Sequence, residues 1–234
     1  MLNAIIMASG LGTRMRPLTN SVPKPLIKAR GIPMIETVLN AMVSCGVNNI
    51  YIVVGYLGDQ FSYLINKYPG IHIIKNDDYE TVNNISSVYA AREVLSLGDC
   101  FICEADLFIS DPSFLKEGTG STCYFGRFVP GFSGDWVFET DSHGFISRVG
   151  KGGTDCYNMV GVSFFRSEDA LMLKGAIEKR YGYGDYRDLF WDDVVNENLD
   201  RLKIRISPVK DGQITELDTV EELNEFNSSP RDAL

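Results

Sequence analysis

Near its start the chain reads Ala8-Ser9-Gly10-Leu11-Gly12-Thr13-Arg14-Met15-Arg16, two closely spaced glycines running into two arginines. Glycine lets backbone approach a ligand, and successive N–H groups in such a turn can aim at phosphate oxygens. Two familiar phosphate loops do not fit. A dinucleotide fingerprint needs its third glycine where Met15 stands, and a P-loop needs Gly-Lys-Ser/Thr. On residue types alone, the stretch reads as a phosphate-binding turn or as a tight strand-to-helix turn with arginines beside it. The formal charge is −9, yet no Asp or Glu precedes Glu36 while Arg14, Arg16, Lys24, Lys28 and Arg30 do. A cationic segment in an acidic protein suits a compact polyanion such as a triphosphate, and the overall acidity argues against nucleic acid or a membrane surface as partner.

The continuation narrows the choice. Arg16-Pro17-Leu18-Thr19 and then Pro23-Lys24-Pro25-Leu26 complete a pattern that resembles the signature of nucleotidyltransferases of the sugar-1-phosphate type, G-x-G-T-R-x-R-P-L-T followed by P-K-P-L. The resemblance implies that the loop amides cradle NTP phosphates, that Arg14 holds the leaving pyrophosphate, and that Lys24 neutralises charge around the α-phosphate. The flanking prolines restrict the backbone and hold that lysine in place. Arg14, Lys24 and Asp106 are then the expected catalytic residues. Nucleotide contacts are expected from Ala8, Ser9, Gly10, Leu11, Gly12, Thr13, Arg14, Lys24, Gly55, Tyr56, Asn84 and Ser86.

A strand-like run, Cys100 to Ala105, leads to Glu104-Ala105-Asp106. That places Asp106 at a carboxyl edge, where open α/β sheets bind ligands. In the family, an aspartate at the end of this strand binds Mg²⁺, a cation that takes hard oxygen ligands. Glu216-Leu217-Asp218 is the matching late element; within a strand Glu216 and Asp218 would share a face. Asp106, Asp218 and Glu216 are the expected metal ligands and Mg²⁺ the expected cofactor. The bland reading of the late carboxylates is a solvated turn before a helix. With only His72 and His143, histidine catalysis or a His-rich zinc site has little material. An anionic acceptor needs no strong base, so in-line attack on the α-phosphorus can run on positioning and charge neutralisation.

The chain further resembles bacterial CTP:phosphocholine cytidylyltransferases over most of its length. Val53-Val54-Gly55-Tyr56-Leu57 with Gln60-Phe61, Val82 to Tyr89, Asp135-Trp136 and Asp188-Leu189-Phe190-Trp191-Asp192-Asp193 carry that likeness, whereas Ser9 and Phe108 depart from it. The likeness puts Asn84 near base and acceptor. Both tryptophans, Trp136 and Trp191, stand beside aspartates. Aromatic faces bind quaternary ammonium groups, so Trp136, Trp191, Asp192 and Asn84 form the expected acceptor site; the structural alternative is that the tryptophans only pack. The expected partners are CTP and a small phosphorylated amine. CDP-choline is the leading product. A cytidylyltransferase for 2-aminoethylphosphonate or phosphoethanolamine, a sugar-1-phosphate nucleotidyltransferase and a non-catalytic nucleotide sensor are the alternatives.

These residues need elements to hold them. Leu2 to Ala8 reads as a buried parallel strand. Pro33 opens a helix with Ile35, Val38, Leu39, Met42 and Val43 on the 3.6 period, stopped by Gly46. Strand Ile50–Val54, helix Leu57–Tyr68, strand Ile71–Lys75, helix Ile85–Leu95 and strand Cys100–Ala105 continue the alternation. The expected fold is α/β: a Rossmann-like, mainly parallel mixed sheet flanked by helices, of the nucleotide-diphospho-sugar transferase type. Strand-like stretches at 121–129, 136–139, 145–149 and 157–165 predict a small antiparallel extension or lid over about 121–165. Helices at 167–179 and 187–199, a strand at 203–208 and a helix at 219–226 follow, the last opened by a Thr219/Glu222 capping box. One catalytic domain over 1–227 and a disordered tail at 228–234 are expected. Cys45, Cys100, Cys103, Cys123 and Cys156 are odd in number and scattered, which fits reduced, mostly buried thiols. No apolar run is long enough to span a membrane and no leader precedes the first strand, so a cytoplasmic protein is expected.

Overall fold

The computed structural model describes residues 1–229. In chain order the elements are β1 (Leu2–Ala8), β2 (Lys28–Ala29), β3 (Ile32–Pro33), α1 (Met34–Ser44), β4 (Asn49–Val54), α2 (Tyr63–Lys67), β5 (Ile71–Lys75), α3 (Ile85–Ala90) and β6 (Asp99–Glu104). Then come β7 (Leu107–Ile109), α4 (Ser113–Gly118), β8 (Cys123–Thr140), β9 (Ile146–Phe165), α5 (Ser167–Tyr181), α6 (Trp191–Asn196), β10 (Arg205–Pro208), β11 (Ile214–Glu216) and α7 (Val220–Ser228).

The main sheet has the order β10-β8-β9-β6-β1-β4-β5. β1 lies between β4 and β6 and is parallel to both, whereas β9 runs antiparallel to β6 and to β8. Because side chains alternate across a strand, β1 feeds two cores. Ala4, Ile6 and Ala8 join Ile35, Val38, Leu39 and Met42 of α1 on one face. Ile5 joins Val88, Leu173, Ile177 and Val195 from α3, α5 and α6 on the other. Each such aliphatic side chain, fully buried, contributes about 1.5–3 kcal/mol, so these two layers fix where the ends of β1 and β6 stand. Those carboxyl ends carry the glycine loop and Asp106.

A third, smaller cluster lies under the glycine loop: Met15, Ile27, Ala29, Met34, Phe108, Leu217, Leu223 and Phe226. Phe108 packs edge-on against Phe226 at 4.9 Å, which accounts for an aromatic residue just beyond Asp106. The expected mixed, mainly parallel sheet flanked by helices is present. The extension is differently made from the four short strands expected. Two long strands, β8 and β9, form a ribbon whose bases belong to the main sheet; the turn-like residues at 130–135 fall at register shifts between Val129/Phe132 and Ser133/Trp136. The helix expected over 57–68 is a 3₁₀ turn followed by α2, the one over 85–95 breaks at Ala91, and the one over 187–199 shrinks to α6. Phe190 N–H donates to Asp193 Oδ2 at 2.8 Å and so starts α6 late. Ser228, placed in the tail by the sequence, still belongs to α7, and 230–234 lie outside the described residues. Cys100, Cys103, Cys123 and Cys156 are buried and free, and burial pushes the Cys100 and Cys103 thiols up. No described helix is long and apolar enough to cross a membrane.

Candidate active site

Where β1 ends, the chain turns through Gly10 and Gly12 into a cleft of about 310 Å³ lined by Ser9, Gly10, Gly12, Thr13, Arg14, Lys24, Asn84, Ser87, Glu104, Asp106 and Glu216, with Met7, Ala8 and Pro25. Gly12 has φ +61°, and a Cβ there would fall 2.8 Å from Lys24 Cβ and 3.0 Å from Thr19 Cγ2. Both the backbone conformation and the close approach therefore require glycine. The loop is braced from behind. Thr19 Oγ1 donates to Gly12 O at 2.8 Å, Tyr56 N–H to Ser9 O at 3.1 Å, and the Tyr56 hydroxyl to Thr19 O at 2.8 Å. Met15, standing where a dinucleotide loop would have glycine, is fully buried against Phe108 and Leu217 and anchors the loop to α7.

The charged end of the cleft is assembled from distant parts of the chain. β7 pairs antiparallel with β11, setting Leu107 opposite Glu216. Thr37 of α1 donates to Met34 O at 2.8 Å and holds β7 by accepting from Ile109 N–H at 3.0 Å. Asp106 and Glu216 are thus neighbours. Asp218 lies beyond the end of β11, so it does not share a strand face with Glu216 as expected. The Thr219/Glu222 capping box holds it instead, with Asp218 N–H donating to Glu222 Oε2 at 2.6 Å. Lys24 Nζ, buried beneath the loop, reaches Asp106 Oδ2 at 2.5 Å and Asp218 Oδ1 at 2.6 Å, and Arg14 Nη1 meets Asp218 Oδ2 at 2.7 Å.

Glu104, at the last position of β6, joins Asp106 and Glu216 in a group whose oxygens lie within 4.8 Å of one another. The sequence displayed Glu104 two residues before Asp106, but only the tertiary structure brings it to the other carboxylates. Gly161 makes the room: its φ is +74°, and a Cβ would stand 2.7 Å from Glu104 Oε2. Burial, followed by the charges of Asp106 and Glu216, drives the Glu104 carboxyl well above the usual range. Lost solvation, then Asp106 and Asp218, push Glu216 up to about 7. Burial by itself lowers Lys24, but Asp106 and Asp218 outweigh it and leave the ammonium above its ordinary value. Crowded carboxylates that resist ionisation are what an additional cation would relieve.

Of the expected nucleotide contacts, Ala8, Ser9, Gly10, Gly12, Thr13, Arg14, Lys24 and Asn84 line the cleft, and Leu11, between the two glycines, does not. Tyr56 supports the loop from behind, and Gly55 packs under Tyr79, where a Cβ would lie 2.5 Å from the ring. Ser86 turns inward to donate to Asn83 O at 2.8 Å, and Ser87, which the sequence did not single out, faces the cleft.

Of the residues expected to hold the acceptor, Trp191 is only 4% exposed; it stacks on Tyr124 with centroids 5.8 Å apart and meets Phe165 edge-on. Asp192 is equally buried and accepts from the Tyr124 hydroxyl at 2.8 Å; burial pushes its carboxyl up to about 7. Trp136 faces Phe190 rather than Trp191, with ring centroids at 5.2 Å. Asn84 ties this region to the cleft, its Oδ1 accepting from Trp191 N–H at 2.9 Å.

Residues 4–119 match the family described as MobA-like NTP transferase domain. The chain is 52% identical over 225 residues to the 2-aminoethylphosphonate cytidylyltransferase of Lancefieldella rimae, covering 96% of this chain and 92% of that one. It is 32% identical to the choline-phosphate cytidylyltransferase of Streptococcus pneumoniae, covering 94% and 95% of the two chains. Among solved structures, the CTP:phosphocholine cytidylyltransferase from Streptococcus pneumoniae superposes with a TM-score of 0.88 at 30% identity, over 97% of each chain.

Proposed function

The chain belongs to the nucleotidyltransferase family that includes the small bacterial cytidylyltransferases, and from that premise we propose that it joins the CMP part of CTP to 2-aminoethylphosphonate and releases pyrophosphate. This replaces the phosphocholine acceptor expected from the sequence. The observation that carries the choice is the burial of Trp191: its ring is packed on Tyr124 and Phe165 and offers no open face for a trimethylammonium group. A cage needs several aromatic faces around the cation, and Trp136, half-buried against the same core, meets Phe190 rather than Trp191. A primary ammonium relies on carboxylates and hydrogen-bond acceptors instead. The relative at 52% identity, which carries the aminophosphonate name, supports the same acceptor.

A phosphonate oxygen attacks the α-phosphorus of CTP. The new P–O bond forms as the bond to the bridging oxygen breaks, and pyrophosphate leaves with that electron pair. The acceptor oxygen is already anionic, so no side chain has to remove a proton. Arg14 and Lys24 offset the charge that develops on the leaving group and around the α-phosphate, and the loop amides hold the phosphates. Glu104, Asp106 and Glu216 are the hard-oxygen donor set that fits Mg²⁺. When bound, the ion supplies charge neutralisation at the phosphates. Asp218, engaged by Lys24 and Arg14, orients those two cations in this reading. CTP is a cytoplasmic nucleotide, and the same reading puts the reaction in the cytoplasm.

The test is pyrophosphate release from CTP with 2-aminoethylphosphonate, phosphoethanolamine, phosphocholine and glucose-1-phosphate, each with Mg²⁺ and with excess chelator. Turnover fastest with the aminophosphonate and absent with chelator is the expected result. Fastest turnover with phosphocholine would overturn the acceptor, and turnover indifferent to chelator would overturn the metal.

A further inference from the structure

The cleft has a charged end and a neutral polar wall. Among the described residues lining it, the cations are Arg14 and Lys24, so a triphosphate lies there and the base lies against the neutral wall, where Ser9 and Ser87 stand. This deepens the proposed function and rests on a nucleotide being the ligand.

Behind that wall the hydrogen bonds run in one direction. Asp78 N–H donates to Asn76 Oδ1 at 3.0 Å, which fixes the amide so that Nδ2 points to Ser86 Oγ at 2.9 Å and Ser87 Oγ at 3.3 Å. Ser87 Oγ donates to Ser9 Oγ at 3.4 Å, and Ser9 Oγ donates to Val53 O at 3.1 Å. A backbone N–H starts the chain and a backbone carbonyl ends it; neither can reverse. A hydroxyl has one proton and two lone pairs. Both serines have therefore committed their protons inside the protein, and each has one lone pair left. Asn76, Ser9 and Ser87 are buried.

We infer that the Ser87 and Ser9 hydroxyls, locked as acceptors by Asn76 and the two backbone groups, select the base: they take an exocyclic amine and repel a carbonyl. Cytosine presents an N–H donor at the pyrimidine position where uracil and thymine present an oxygen. A ring with oxygen there would set its lone pair against another.

Binding of CTP and UTP, measured by calorimetry with Mg²⁺ and no acceptor, tests this apart from the transfer reaction. The wild type should bind CTP about tenfold or more tighter than UTP, the size of one net hydrogen bond. Ser87→Ala should weaken CTP and, with the opposing lone pair gone, strengthen UTP, collapsing that ratio. Ser9→Ala removes the acceptor of the Ser87 proton, frees it to turn toward the cleft, and should strengthen UTP. A variant that merely loosens the wall would weaken both nucleotides alike, and a far-ultraviolet spectrum and melting curve show that each variant is folded. A wild type without preference, equal weakening in Ser87→Ala, or UTP binding unmoved by Ser9→Ala would overturn the inference. Discrimination lost as described in a protein inactive on 2-aminoethylphosphonate would uphold it and refute only the acceptor.

Discussion

At the phosphate end of the cleft, charged side chains from the glycine loop, the Lys24 turn, the β6–β7 junction and the β11–α7 junction meet at salt-bridge distance. At the acceptor end, Trp191 and Asp192 are sealed under Tyr124, and Trp136 with Phe190 stands outside them. The first region faces its ligand directly with charge. The second is a packed support that shapes the space indirectly, through Asn84 and the start of α6. The phosphate end therefore has little tolerance for substitution, whereas the acceptor end can change its specificity by repacking.

The contrast is broken most easily at Lys24. Lys24→Ala should lower kcat/KM about 10²- to 10³-fold, as the loss of one preorganised charge contact does. It also leaves Asp106 and Asp218 facing each other, so melting curves belong beside the kinetics. An arginine at this position should not restore the rate, because its planar fork cannot occupy the compact space between two carboxylates.

Trp136→Ala should raise KM for the acceptor by only about twofold, because a primary ammonium does not rely on the ring and Trp136 acts by packing on Phe190, with KM for CTP unmoved. A rise shared by both substrates would erase the distinction between the two ends. Thr219→Ala removes the side-chain acceptor of the Glu222 N–H bond at 3.2 Å. It should cost about 1 kcal/mol in denaturant titration, with a small fall in kcat as Asp218 loosens.

Asp192→Asn should act least on rate and most on pH dependence. The unfolded chain releases this proton near 3.8, the ordinary aspartate value, whereas the folded carboxyl holds it to about 7. The folded state therefore binds the extra proton in that window and loses stability as pH rises through it. In the asparagine variant the fall in melting temperature between about pH 4 and 7 should be shallower than in wild type. An identical slope would mean that Asp192 is not the group responsible.

Much of the phosphate end was legible because its residues are contiguous: Gly10 to Leu26 supply the loop, Arg14 and Lys24 in one stretch. Strands β1, β4, β5 and β6 were legible from short, mostly apolar runs. The β7–β11 pair was not, since three-residue strands carry no period to detect; without it the closeness of Asp106 to Glu216 rests on the family resemblance alone, and the membership of Glu104 cannot be read. The ribbon was misdivided for a related reason. Gly, Ser and Asp at register shifts resemble the same residues at turns. The tryptophans show the deeper limit: adjacency to aspartate in sequence does not distinguish a ring that faces a ligand from one that faces Tyr124.

The pairing of β7 with β11 also dictates an order of events during synthesis. A chain leaving the ribosome has its glycine loop, Lys24 and Asp106 long before it has Asp218, and a buried ammonium short of a partner is costly. Met15 likewise waits for Leu217, Leu223 and Phe226 to cover it. The nucleotide loop therefore reaches its final packing only when α7 docks, which makes the last helix the closing step of maturation. A chain ending before Ile214 would keep the main sheet's strands yet lack the Glu216 and Asp218 carboxylates.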